Sequence, residues 1–219
     1  MSDAALMRAG GFAQLVERLQ QPDNSAETCA EICHKLLQYG FQSDADVSTC
    51  CANLDAMIDA NVIPAVVATL ATHKNDADLC ALACALIEDL VSDATYDDIR
   101  SAGGIDAIVD ALINHREHEN VCFYACWALE QLAIGSNCAA IRDACGVPAI
   151  VLALEAHQDN PQVCEYACSV LYDLALDCCD WAPLRESKSL FKHIASEQDA
   201  GNMLEQRFRF SKRCPVAAI

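Results

Sequence analysis

Paired cysteines are the residues of this chain best suited to chemistry. CALAC begins at Cys80, CFYAC at Cys122 and CEYAC at Cys164, with 42 residues between successive starts. A degenerate earlier pair, Cys29 and Cys33, has the same spacing. Thiols in such pairs could bind a metal, cycle between thiol and disulfide, or do neither. At four residues apart on a helix, two Cβ atoms lie about 5–6 Å from each other. A disulfide needs roughly 3.5–4.5 Å, so the members of a pair should not bond to each other. A structural zinc site needs four ligands within reach, and neighbouring helices stand about 8–10 Å apart. Small, apolar and often fully buried, cysteine also serves as a packing residue. We therefore expect the pairs to be architectural, the alternative being a thiol-dependent metal-binding or redox protein.

Other potentially reactive residues share the period. His73, His115 and His157 are 42 apart. At the end of a helix, each would face the last carbonyls and the negative end of the helix dipole, so capping is the expected role. Asp97-Asp98 and Glu88-Asp89 are adjacent carboxylates, which point different ways on a helix and read as solvated surface. Phosphate-cradling glycine loops, H-E-x-x-H and G-x-S-x-G are all missing. No catalytic residue, metal ligand set or cofactor site is expected, and the chain does not read as an enzyme.

The elements that position these residues repeat with them. Ala60, Ala102 and Ala144, and Leu90, Leu132 and Leu174, keep the same interval. Each unit has a short first helix (YDDIRSA) closed by Gly103 or its stand-ins Asn61 and Cys145. A second apolar helix follows (IDAIVDALIN), then a polar break (HREHEN), then a third helix of the form VCxxACxxLxxL. A period of this length points to stacked helical units. AGGFAQLVERL near residue 9 matches AGGIDAIVDAL near residue 102, but lies nine residues too far upstream. The surplus falls in GFQSDADVSTCC, which reads as a turn-rich insertion.

These motifs resemble the armadillo-repeat family. The matching residues are the A-G-G-I-x-A-I-V-x-A-L opening and ENVCFYACWALEQLA closing of one copy, and ACGVPAIVLAL with NPQVCEYACSVLYDLA in the next. The resemblance implies an all-α fold: a right-handed α-solenoid of about four three-helix units. The expected units are 4–53, 54–95, 96–137 and 138–180, with a capping helix over 181–200 and a basic-aromatic tail over 201–219. It also implies recognition of a peptide or protein in a concave groove lined by third helices. Where peptide-binding members commonly place tryptophan, this chain has His34, Ala85, Trp127 and Ser169. Four residues on, where asparagine is common, it has Gln38, Asp89, Gln131 and Asp173. Only Trp127 matches, which argues against a ladder of asparagines holding a peptide backbone.

On a helical wheel Val121, Ala125, Ala128, Leu129 and Leu132 share the core face, with Cys122 and Cys126 on its flank. Phe123, Tyr124, Trp127 and Gln131 point away from it. Tyr166 is equivalent to Tyr124, while Asp89, Glu165 and Asp173 supply acidic edges. An aromatic floor with acidic edges suits Lys or Arg side chains. These eight residues are the expected partner-binding face of a scaffold.

Charge narrows the partners. The chain carries −18 overall, with 28 Asp+Glu against 7 Lys+Arg in residues 1–180 and 4 against 7 in residues 181–219. An acidic body disfavours nucleic acid and anionic membrane, and favours basic proteins. The segment QRFRFSKR places Arg207, Arg209, Lys212 and Arg213 around Phe208 and Phe210. It is expected to dock on the acidic body, its own or a second copy's, which would make self-association possible. No run of about 18 apolar residues and no secretory leader is evident. A reducing compartment is expected, the cytoplasm or else the nucleus. The chain also fits one segment of a longer scaffold.

Overall fold

The computed structural model describes residues 10–41 and 47–177. Eleven α-helices make up the described residues, with no strand among them. We number them α1 (Phe12–Leu19), α2 (Ala26–Gly40), α3 (Val47–Asp59), α4 (Val62–Thr72), α5 (Ala77–Leu90) and α6 (Tyr96–Ser101). They continue as α7 (Gly104–Asn114), α8 (Glu119–Leu132), α9 (Ser136–Asp143), α10 (Gly146–Ala156) and α11 (Pro161–Asp177). The expected capping helix over 181–200 and the tail over 201–219 lie outside the described residues.

The sequence period becomes a period of backbone. Helices α4, α7 and α10 start 42 residues apart, as do α5 and α8. Each middle helix follows a residue in the left-handed region: Asn61 at φ 60°, Gly103 at 79° and Cys145 at 63°. A glycine adopts this conformation without steric cost and an asparagine tolerates it, which explains the choice at two of the three places. The single left-handed residue turns the chain sharply, so α3 and α4 meet at 69° and α9 and α10 at 72°. The next position tightens the corner further. A Cβ at Gly104 would come within 2.6 Å of Ile99 Cγ2 and 2.8 Å of its carbonyl oxygen, and one at Gly146 within 2.6 Å of the same two atoms of Ile141. A side-chain cap starts α5, where Asp76 Oδ1 accepts from the Leu79 N–H at 2.9 Å. Asn160 Oδ1 accepts from Gln162 and Val163 N–H groups at 2.9 and 3.1 Å. These caps satisfy donors that a helix start leaves free.

The expected insertion takes a different form. Val47–Cys51, the end of the stretch read as turn-rich, opens α3, a helix of 13 residues where its counterparts α6 and α9 have 6 and 8. Residues 47–51 of that stretch lengthen the first helix of the unit, and the unit boundary expected at residues 53 and 54 falls inside it. Polar Asn53 is nevertheless fully buried here, its amide donating to the Tyr39 and Gly40 carbonyls. It thereby satisfies acceptors at the end of α2 that the helix itself cannot.

A continuous core runs through all the units. Helix α8 packs between α5 and α11, and α5 packs in turn on α2. Equivalent residues are buried together: Leu79, Val121 and Val163; Ile87, Leu129 and Leu171; Leu90, Leu132 and Leu174. No single helix among the described residues is long and apolar enough to cross a membrane.

Candidate functional site

The thiol columns belong to this core. Cys29, Cys33, Cys80, Cys84, Cys122, Cys126, Cys164 and Cys168 are all buried, and the twelve described cysteines are all free. Burial away from water disfavours a thiolate. It pushes Cys80 up to about 11, Cys33, Cys122 and Cys168 up to about 12, and Cys84 and Cys126 higher still. Such thiols are poor nucleophiles at neutral pH. Among the described residues no group of three or more His, Cys, Asp or Glu is placed to hold a metal ion. In the three later pairs the first thiol instead fastens the polar break before its helix. Cys122 Sγ donates to Arg116 O at 3.2 Å and Cys164 Sγ to His157 O and Gln158 O at 3.5 Å, and Cys80 Sγ approaches His73 O at 3.7 Å.

The repeated histidines hold the C-cap position of their helices, where their backbone N–H groups bond to the Thr69, Ala111 and Ala153 carbonyls, while their side chains reach across to other units. His115 Nε2 donates to Lys74 O at 2.7 Å, and His157 Nε2 donates to Arg116 O at 3.0 Å. Each imidazole thus reaches the break of the preceding unit. His73, first in the series, instead meets the Cys29 thiol of α2 at 3.7 Å. The capping expected of these side chains is replaced by a staple across the unit interface. A spacing of 42 residues serves either role equally, so sequence alone does not separate them.

Away from the core, the third helices carry a connected aromatic patch. Phe123 lies 4.8 Å from Tyr124, 5.6 Å from Trp127 and 5.6 Å from Tyr166 between ring centroids, edge to face in each case. Trp127 and Tyr166 stack at 5.1 Å with planes 15° apart. All four rings are half-buried. Three come from α8 and the fourth from α11. The register that aligns equivalent residues puts Tyr166 beside residues one unit back. Both ring geometries are the favoured ones for aromatic quadrupoles, so the patch is a fixed surface.

Carboxylates adjoin it on α5 and α8. Gln131, one helical turn beyond Trp127, hydrogen-bonds Glu88. Glu88 is only 9% exposed, and burial, with the charges of Asp89 and Glu130, pushes its carboxyl up to about 7. Burial similarly raises Asp89 to about 6. Glu130, equivalent to Glu88 one unit on, accepts from Ser169 Oγ of α11 at 3.1 Å. The pattern is a ladder in which a carboxylate of one third helix meets a polar side chain of the next.

Of the eight residues expected on this face, Phe123, Tyr124, Trp127 and Tyr166 form one ring cluster and Gln131 joins it to Glu88. Asp89 is half-buried and adds its field to Glu88. Glu165 and Asp173 are half-buried on α11 but are not among the charges acting on Glu88. Ala85 and Ser169, the equivalents of Trp127 one unit back and one unit on, are buried. Glu88 overturns the expectation of a solvated carboxylate pair, because the C-terminal turn of α5 packs against α8 and shuts its side chain from water. Sequence reasoning assigns no role to Glu130 and does not pair Ser169 with it. The interval between Glu88 and Glu130 is the signal available for the first.

The three helices have an unusual charge composition. Together α5, α8 and α11 contain Asp78, Glu88, Asp89, Glu119, Glu130, Glu165, Asp173 and Asp177, and no Lys, Arg or His. Comparison of the chain with models of protein families and with curated proteins finds no match to either.

Proposed function

We propose that this chain is a non-enzymatic interaction scaffold of armadillo type that binds a basic protein or peptide across α5, α8 and α11. In this reading the helices form a right-handed solenoid of about four three-helix units, and those third helices line its concave face. The 42-residue recurrence of left-handed corners, close-approach glycines and equivalent core residues supports that architecture.

One observation carries the binding reading: four interlocked, half-buried rings stand on helices that hold eight carboxylates and not a single basic side chain. Guanidinium and ammonium groups stack on aromatic faces and are attracted by the net negative charge of the helices, so rings and charge favour the same ligand. The thiol-dependent alternative finds little support, since the buried pairs are held strongly protonated.

The test is fluorescence anisotropy with labelled Lys/Arg-rich peptides and with matched acidic peptides. Trp127→Ala should weaken basic-peptide binding by about tenfold or more, as removal of a central interface aromatic commonly does. Its far-ultraviolet circular dichroism should remain that of the wild type. Equal binding of acidic and basic peptides, or full affinity in Trp127→Ala, would refute the assignment.

A further inference from the structure

The chain itself contains a ligand of the chemistry this face favours. Arg207, Arg209, Lys212 and Arg213 interleave with Phe208 and Phe210 in a segment of seven residues. The helices opposite in charge carry the ring cluster of Phe123, Trp127 and Tyr166, with half-buried Asp89, Glu130 and Glu165 on the same three helices. We infer that residues 207–213 occupy this face of their own chain and compete there with any outside partner. The inference rests on the reading of the face as a site for basic ligands.

Chain length permits the contact. The last described residue, Asp177, ends α11, the helix that also contributes Tyr166. Tyr166 is eleven residues before it, about 16 Å along the helix axis. Residues 178–206 form the connection, and a chain of that many residues can span at most about 95 Å, far more than this distance. The segment therefore reaches the face without being drawn taut. Such a tether holds its end at an effective concentration on the order of millimolar. A segment binding with a dissociation constant of about 100 μM would then reduce an outside ligand's apparent affinity roughly tenfold.

Charge decides which surface the segment meets. Of the described cations Arg18, Lys35, Lys74, Arg100, Arg116 and Arg142, none stands on α5, α8 or α11. Arg142 of α9 approaches α11 at the Leu174 carbonyl, 3.4 Å away, near the end of that helix. The ring cluster lies further toward the start of α11, through Tyr166. Basic side chains are thus drawn to these helices, whose charged groups are all acidic, and two phenylalanines extend the aromatic contacts of the ring cluster.

The experiment uses the full chain and a variant of it in which Arg207, Arg209, Lys212 and Arg213 are all changed to Glu. The probes are a labelled peptide of sequence EQRFRFSKR and an unrelated Lys/Arg-rich peptide. Both should bind the charge-reversed chain about tenfold more tightly than the wild type. Trp127→Ala in the charge-reversed chain should abolish the gain, and Phe208→Ala with Phe210→Ala should give a smaller gain in the otherwise wild-type chain. Equal affinity of wild-type and charge-reversed chains, with binding still dependent on Trp127, would overturn the tail assignment alone. Failure of both peptides to bind either chain would overturn the reading of the face as well. A dimer that the charge reversal dissociates, measured by sedimentation, would also overturn it, because the segment would then serve a second copy.

Discussion

Glu88→Gln should make the protein more stable at alkaline pH and remove part of its pH dependence. The wild-type carboxyl is nearly buried on α5, hydrogen-bonded by Gln131, with Asp89 and Glu130 acting on it. Its titration moves from an ordinary 4.5 up to about 7 in the folded state. An acid held protonated by the fold binds its proton more tightly folded than unfolded. Its contribution is therefore fully present below pH 4.5 and is lost as pH rises through 7. A displacement of that size corresponds to about 3 kcal/mol between the extremes. Side-chain relaxation and water reaching the exposed edge should reduce this to about 1–2 kcal/mol. For a chain of this size, 1 kcal/mol moves the melting midpoint by about 2–4 °C. Thermal unfolding followed by circular dichroism at pH 5.5, 6.5, 7.5 and 8.5, under reducing conditions, measures it. Wild type should lose several degrees over that range. The Gln variant should lose less and should exceed wild type at pH 8.5. The high negative charge of the chain also destabilises it as pH rises, but that loss is common to both proteins and cancels in the comparison. Parallel pH profiles for the two would refute a buried, upward-shifted Glu88.

The thiols supply a second measurement: in native protein Cys51 and Cys145, both exposed, should alkylate quickly at pH 8, while Cys84 and Cys126 should react only on unfolding. Mass spectrometry after pulsed iodoacetamide distinguishes them. Cys145→Gly should raise stability by about 1 kcal/mol, since a left-handed backbone at φ 63° costs a side chain roughly that much. Gly146→Ala, one residue on, should cost about 2 kcal/mol or more, because its Cβ would press on the Ile141 carbonyl. Urea midpoints of the two neighbours should therefore move in opposite directions. His115→Ala should lose about 1 kcal/mol through the broken link to the Lys74 carbonyl. Its effect should fall on the junction between α4–α5 and α7–α8, as read by hydrogen exchange.

Helix identity and position were legible because the signals were periodic and local. Three apolar registers 42 residues apart fixed which residues of α8 face inward, and Val121, Ala125, Ala128, Leu129 and Leu132 are all fully buried. Left-handed corners were marked by Gly103 and by its replacements at the same interval. The ring cluster was legible for the same reason, since wheel position placed Phe123, Tyr124 and Trp127 away from the leucines and the period brought Tyr166 beside them. What failed concerned contacts between units. The helical start of α3 was hidden by polar residues in VSTCC that also suit a turn, and burial against α2 through Asn53 decides the matter. The histidine staples and the burial of Glu88 depend on how far one unit shifts against the next. No intra-unit pattern encodes that distance.

That same shift explains why the large rings gather at one place on the third helices. Stacking by one unit sets each residue of α8 beside one that differs from it by about 42 positions, so Glu88 meets Gln131 and Glu130 meets Ser169. Inward positions must repeat, because each neighbour needs the same small or branched side chain to close the core. Positions away from the leucine stripe escape that demand and vary. Ala81, Phe123 and Glu165 occupy one equivalent site, and Ala85, Trp127 and Ser169 another. Variation at fixed geometry concentrates the large rings in a single unit and leaves small or acidic groups on either side. A partner reading this face would therefore find one anchoring place, at Trp127, flanked by carboxylates. Binding should accordingly depend steeply on one basic or aromatic side chain of the ligand and weakly on the others. An alanine scan of a bound basic peptide would show it as a single position with a loss of about tenfold or more, whereas even losses along the peptide would speak for diffuse charge attraction instead.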